Sequence, residues 1–171
     1  MTHCCHSLWL TLDNKQNAIQ MQAKTIEPIH VLFYETRTSL NQISEHVRVV
    51  ARRLYVDAIK NDLEITGPVY WIYEGADGNP ETVFTLTIAL PTTPATNYSG
   101  SEFKTKYLNA FDCVTEQLYG DWNTLGTVYG SLISEIMAKN KTMSGENREI
   151  YINMDFENPA RNITEVQIGI L

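Results

Sequence analysis

No apolar run in this 171-residue sequence approaches the roughly 18 residues needed to cross a bilayer, and its first residues lack the pattern of a secretion signal. The expectation is a cytoplasmic protein without a membrane partner. Basic residues are scarce: 13 Lys and Arg stand against 20 Asp and Glu, a formal charge of -7. That balance opposes phosphate backbones and speaks against direct contact with nucleic acid. The three cysteines cannot form an even disulfide framework, and Cys4 and Cys5 are neighbours. His3-Cys4-Cys5-His6 lacks the spacing that lets side chains converge on one tetrahedral ion, so no metal is expected. No glycine-rich phosphate loop is present, and no cofactor is implied.

What the chain does contain is a duplication. Shifted by 82 residues, Leu40 falls on Trp122, Ile43 on Leu125, Val47 on Tyr129, Val50 on Leu132 and Leu54 on Ile136. Each series recurs at steps of three and four, the mark of one buried helix face. Each copy ends in an alternating strand, Phe84 to Leu90 and Thr164 to Ile170. A repeat of about eighty residues is too long for a solenoid unit and suits two halves of one domain. A cleft between two such halves is a natural ligand site.

Residues 1 to 20 read as a disordered tail, with Met21 a candidate for the true start. A single domain spans 21 to 171: a first half at about 24 to 91, a linker at 92 to 103, and a second half at 104 to 171. The order expected in each half is strand, helix, strand, strand. In the first, the strands are Ile26 to Tyr34, Val69 to Tyr73 and Thr82 to Leu90. In the second they are Cys113 to Leu118, Glu149 to Met154 and Ile163 to Ile170, with a helix from about Trp122 to Ala138 capped by Asp121. The fold class is α+β, an antiparallel sheet with two helices on one face.

Alternation then sorts the strand residues by face. Val166, Ile168 and Ile170 form an apolar row that should meet the helices. Ile150, Ile152 and Met154 are expected to join them. Trp71, Tyr73, Tyr151, Asn153, Glu165 and Gln167 are then collected on the helix-free face. A carboxylate among aromatics suits a lipophilic cation, which pairs with the charge while the rings add about 0.5 to 2 kcal/mol each.

Two stretches resemble a known family. Gly120-Asp121-Trp122-Asn123-Thr124-Leu125-Gly126 is similar to the G-P-Y-x-x-L-G element of GyrI-like small-molecule-binding domains, and Ile163-Thr164-Glu165-Val166-Gln167-Ile168 to their closing T-E-[IV]-x-I-P strand. Gly169 stands where the family's strand has proline. The resemblance implies a cleft between pseudo-symmetric halves, as in the effector-sensing part of AraC- and MerR-type multidrug regulators, here free-standing. It places the family's ligand-contacting acid on Glu165 and its strand tyrosine on Tyr151. Trp122 stands at the motif's tyrosine position. The expected ligand-binding set is Glu165, Tyr151, Tyr73, Trp71, Trp122 and Asn153, capturing a lipophilic cationic or aromatic compound without turnover. One alternative is a hydrolase that uses Glu165 and Tyr151 as its catalytic pair. The other is a protein-interaction module of the gyrase-inhibitor kind or a homodimer.

Overall fold

In the computed structural model the described residues are 22–46, 49–94, 98 and 102–171. The 1–20 segment and its histidines and cysteines lie outside them, as do Met21 and Val47. Among the described residues, segments rich in β-branched and aromatic side chains build eight strands: β1 Gln22–Ile26, β2 Ile29–Thr38, β3 Val69–Glu74, β4 Phe84–Pro91, β5 Lys104–Leu108, β6 Phe111–Tyr119, β7 Met143–Asn153 and β8 Ile163–Ile170. The helices are α1 Val49–Lys60 and α2 Leu125–Ala138. All eight strands form one antiparallel sheet in the order β1-β6-β8-β7-β3-β4-β2-β5.

The duplication survives in the backbone. β1 and β5 are related by a shift of 82 residues, whereas the ends of the two helices are related by one of 78, four residues short of the spacing expected for them. Both helices end alike, on a residue of positive φ, Asp62 at 54° and Asn140 at 52°. The next amide then returns to the helix: Leu63 N–H donates to Ala58 O and Lys141 N–H to Ile136 O. Short polar side chains tolerate that conformation better than other non-glycine residues do.

β1 and β2 are two parts of one long strand, broken at Glu27-Pro28, where proline supplies no ladder N–H. β5 and β6 are likewise one strand, broken at Asn109-Ala110. The two long strands pair in a single register: Ile26 faces Phe111 before the break and Ile29 faces Leu108 after it. The two ends of the strand order therefore meet, and the sheet curls over its helix-free face. That face is buried as a result, with Val31, Ile72, Ala89, Cys113, Arg148 and Gln167 each at most 3 % exposed. The Arg148 guanidinium lies 3.8 Å from the Phe111 ring centroid, and burial pushes the Cys113 thiol up to about 11.

The outer face carries the helices. Val50, Leu54 and Ala58 of α1 pack on Leu32, Phe84, Leu86 and Ile88, while Val128, Leu132 and Ile136 of α2 pack on Val114, Val166 and Ile168. α1 thus covers β2 and β4, and α2 covers β6 and β8. The central strands β3 and β7 are left as the floor of a cleft between the helices.

The face assignment of these two strands is corrected by the register. Cross-strand partners share a face, and Trp71 pairs with Glu149, which pairs with Val166. Trp71, Tyr73 and Tyr151 therefore lie on the helix side, and Trp71 and Tyr73 belong to the core that α1 covers. Ile150 pairs with Glu165 on the inward face and is buried there. Alternation misleads here because the inward face of β7 is buried by the curl of the sheet while its outward face is left open to the cleft, so Ile150 points away from the helices.

Candidate functional site

The cleft over β3 and β7 is a cavity of about 1040 Å³. Its floor holds Trp71 and Tyr73 from β3 and Glu149 and Tyr151 from β7. Tyr55 of α1 lines one wall. Trp122, in the short 3₁₀ turn Trp122–Thr124 that leads into α2, lines the other, with Met154 to Glu157 after β7. Asp121 caps that turn by accepting from Asn123 N–H at 2.9 Å, and Trp122 Nε1–H donates to Thr164 Oγ1 at 2.9 Å. The indole is thereby fixed in place. Its ring meets Tyr151 at 5.6 Å and Phe156 at 5.1 Å between centroids, both edge to face, and Trp71 meets Tyr151 at 5.9 Å.

At the bottom lies Glu149, 5 % exposed. Three tyrosine hydroxyls donate to it: Tyr151 to Oε2 at 2.5 Å, Tyr73 to Oε2 at 2.8 Å and Tyr129 of α2 to Oε1 at 3.0 Å. Among the described residues no lysine, arginine or histidine forms an ion pair with it. Burial pushes the Glu149 carboxyl above its ordinary value, and the three phenols pull it back down. The phenols themselves are driven well above 10, by burial first and then by the adjacent carboxylate. They stay protonated and are placed to donate to it. Three donors aimed at one carboxyl favour its charged form, against the burial that disfavours it.

This arrangement is an anion held in a largely apolar pit by neutral dipoles. It can accept a cation, which would find one full negative charge and several aromatic faces. Charged groups sit at the mouth as well: Asp155, Glu157, Arg52 and Arg161 line the rim, with Arg161 Nη1 3.9 Å from Asp155 Oδ2.

Of the residues expected at the site, the structure brings Trp71, Tyr73, Trp122 and Tyr151 together around this cavity. Asn153 reaches its rim, exposed, and donates from Nδ2 to Arg161 O at 2.7 Å. Glu165 is elsewhere. It lies on the opposite face of the sheet, where Oε1 pairs with Lys24 Nζ at 2.7 Å and accepts from Gln167 Nε2 at 2.6 Å. Burial alone would raise its pKa, but the Lys24 ammonium and the Gln167 amide together hold it below the ordinary carboxylate value. Glu149, Tyr129 and Phe156 were missed. Glu149 stands two residues before Tyr151, so alternation alone puts the two on one face.

Among the described residues no cluster of His, Cys, Asp and Glu could hold a metal, and no helix is long and apolar enough to cross a membrane.

No family model and no curated protein matches the sequence. Solved structures do match in fold. The EcmrR C-terminal domain superposes with a TM-score of 0.72 at 16 % identity, over 89 % of this chain and 97 % of that one. Against the EcmrR chain in its DNA complex the TM-score is 0.73 at 17 % identity, over 88 % of this chain but only 57 % of that one. SAV2435 bound to tetraphenylphosphonium gives 0.63 at 12 % identity, over 89 % and 94 %. A hydrolase from Listeria innocua gives 0.60 at 10 % identity, over 90 % and 92 %. The chain shares the fold of these structures, an α+β arrangement in which, among the described residues, one eight-stranded antiparallel sheet carries two helices.

Proposed function

We propose that this chain captures lipophilic organic cations in the cleft between α1 and α2, with Glu149 as the counter-charge. The observation that carries the reading is the buried Glu149 carboxylate with three tyrosine donors and no basic side chain paired to it among the described residues. Burying a charge costs several kcal/mol unless it is paired, and a structure that retains this cost gains it back when a cation arrives. Trp71, Trp122, Tyr151 and Phe156 present ring faces and edges to an aromatic or alkylated cation, which sheds little water on entry. The similarly folded SAV2435 is bound to one such cation, tetraphenylphosphonium.

Isothermal titration with tetraphenylphosphonium and with a neutral aromatic of similar size tests this. Glu149→Gln keeps the shape and removes the charge. Loss of a desolvated partner costs about 2 kcal/mol or more, roughly thirtyfold in affinity for the cation. The neutral compound should bind both proteins alike. Equal cation affinity in the two proteins would sink the reading.

A hydrolase is the second reading, favoured by the similarity to the Listeria innocua protein and by a carboxylate and phenols in one cleft. Mass spectrometry of the bound compound after prolonged incubation separates the two: an unchanged mass supports capture, and addition of water supports turnover.

A further inference from the structure

The hydrogen bonds of Glu149 leave one acceptor position unfilled. An ionised carboxylate offers about four such positions, two on each oxygen. Tyr151 and Tyr73 both donate to Oε2, at 2.5 and 2.8 Å, and so fill that oxygen. Oε1 accepts from Tyr129 at 3.0 Å, and among the described residues no other side chain donates to it. Tyr129 reaches it from α2 without lining the cavity, whereas Glu149 itself forms part of the cavity floor.

The donors nearby are committed elsewhere. The Tyr151 ring is held edge to face by Trp71 and Trp122, and the Tyr73 ring lies 5.7 Å from that of Phe84 between centroids, so neither phenol is free to swing from Oε2 to Oε1. Trp122 Nε1–H donates to Thr164, and Asn153 Nδ2 donates to Arg161 O at the rim. A buried acceptor with an empty position costs free energy, and surroundings of low dielectric strengthen a charged bond made to it.

We propose that the cleft selects cations bearing an N–H, protonated lipophilic amines, over fully substituted onium ions of the same shape, with that N–H completing Oε1 of Glu149. The inference rests on the capture of cations by Glu149 proposed above. An ammonium N–H brings its nitrogen to about 2.8 Å from a carboxylate oxygen. Methyl groups hold a quaternary nitrogen a carbon's width further away and leave the position empty. Trp71, Trp122 and Phe156 meet the hydrocarbon substituents of either ion, so discrimination falls to the carboxylate. The sign of the preference is informative, because an N–H cation is the more strongly hydrated of the two. A pocket without an acceptor for that N–H would favour the quaternary ion.

Isothermal titration at neutral pH tests this with diphenethylmethylamine, which is protonated there, and with its N-methylated ion, diphenethyldimethylammonium. The parent should bind the amine at least about tenfold tighter. In Glu149→Gln both should weaken, and the preference should vanish or invert. The order of the two compounds on the parent needs no variant, and circular dichroism checks that Glu149→Gln is folded. A quaternary ion that binds the parent as tightly as the amine, while both weaken in Glu149→Gln, would overturn this inference and leave capture by charge standing. Affinities of both compounds unmoved by Glu149→Gln would overturn capture, and this inference with it.

Discussion

At the scale of single residues, the pH dependence of ligand capture follows from Glu149. Its carboxyl is raised by burial, so in the free protein it takes up a proton at a higher pH than an exposed glutamate does. A cation binds the ionised form, and its affinity should fall as pH drops through that raised value, approaching tenfold per unit below it. Titrations at a series of pH values check this. Tyr151→Phe removes a donor to the charged form, which pushes the carboxyl higher still, so the loss should begin at higher pH. A profile unmoved in that variant would show that the phenol does not hold the charge. The same raised value bears on stability with a defined sign. The ionised carboxylate opposes folding, fully so above its folded pKa and not at all below the ordinary 4.5. Glu149→Gln should therefore melt at a higher temperature than the parent at neutral pH, with the difference shrinking toward pH 4.5. Glu165→Gln should leave cation affinity unchanged, because Glu165 lies across the sheet from the cleft, paired with Lys24.

At the scale of elements, β8 carries a restriction that its sequence motif conceals. A Cβ on Gly169 would come within 2.2 Å of Ser144 Oγ, 2.6 Å of Phe111 Cε2 and 2.9 Å of Glu146 O. The serine can turn, but the Phe111 ring lies against Arg148 and the Glu146 carbonyl belongs to the backbone of β7. Gly169→Ala should cost about 1 to 3 kcal/mol, read from urea unfolding, and a neutral result would mean that the sheet opens there at little cost. Legibility in the sequence divides along the same lines. The face of α2 was readable because it has one buried side; of the row expected in the first copy only Val50 and Leu54 lie on α1, since Leu40 and Ile43 precede it, and the apolar row of β8 was readable because α2 covers it while Glu165 and Gln167 turn inward. β7 was not. Its inward isoleucine meets the interior of a curled sheet, and its outward row of Glu149 and Tyr151 builds a binding surface, so polarity no longer reports which side the helices occupy. β1 and β5 were also invisible as separate strands. Their breaks at Glu27-Pro28 and Asn109-Ala110 acquire meaning only from pairing with the other copy.

At the scale of the molecule, that exchange of strands decides how the two copies depend on each other. β1 belongs to the first copy yet pairs with β6, and β5 belongs to the second yet pairs with β2. β3 and β7 add a third seam down the centre. A first copy standing alone would expose one edge of β3 and one of β2, leave β1 with no neighbour, and uncover Val31, Ile72 and Ala89 on the inward face. Small sheets with bare edges and one covered face are marginal at best in water. A fragment of residues 1 to 94 should therefore be unfolded by far-UV circular dichroism. So should one of residues 95 to 171. An equimolar mixture should regain the sheet signal and the cleft, because every seam joins one fragment to the other. Cation binding would then appear only in the mixture, since Trp71 and Tyr73 come from one fragment and Glu149, Tyr151 and Trp122 from the other. A fragment that folds by itself would show that the duplicated halves are independent units and that the strand exchange is incidental to their stability.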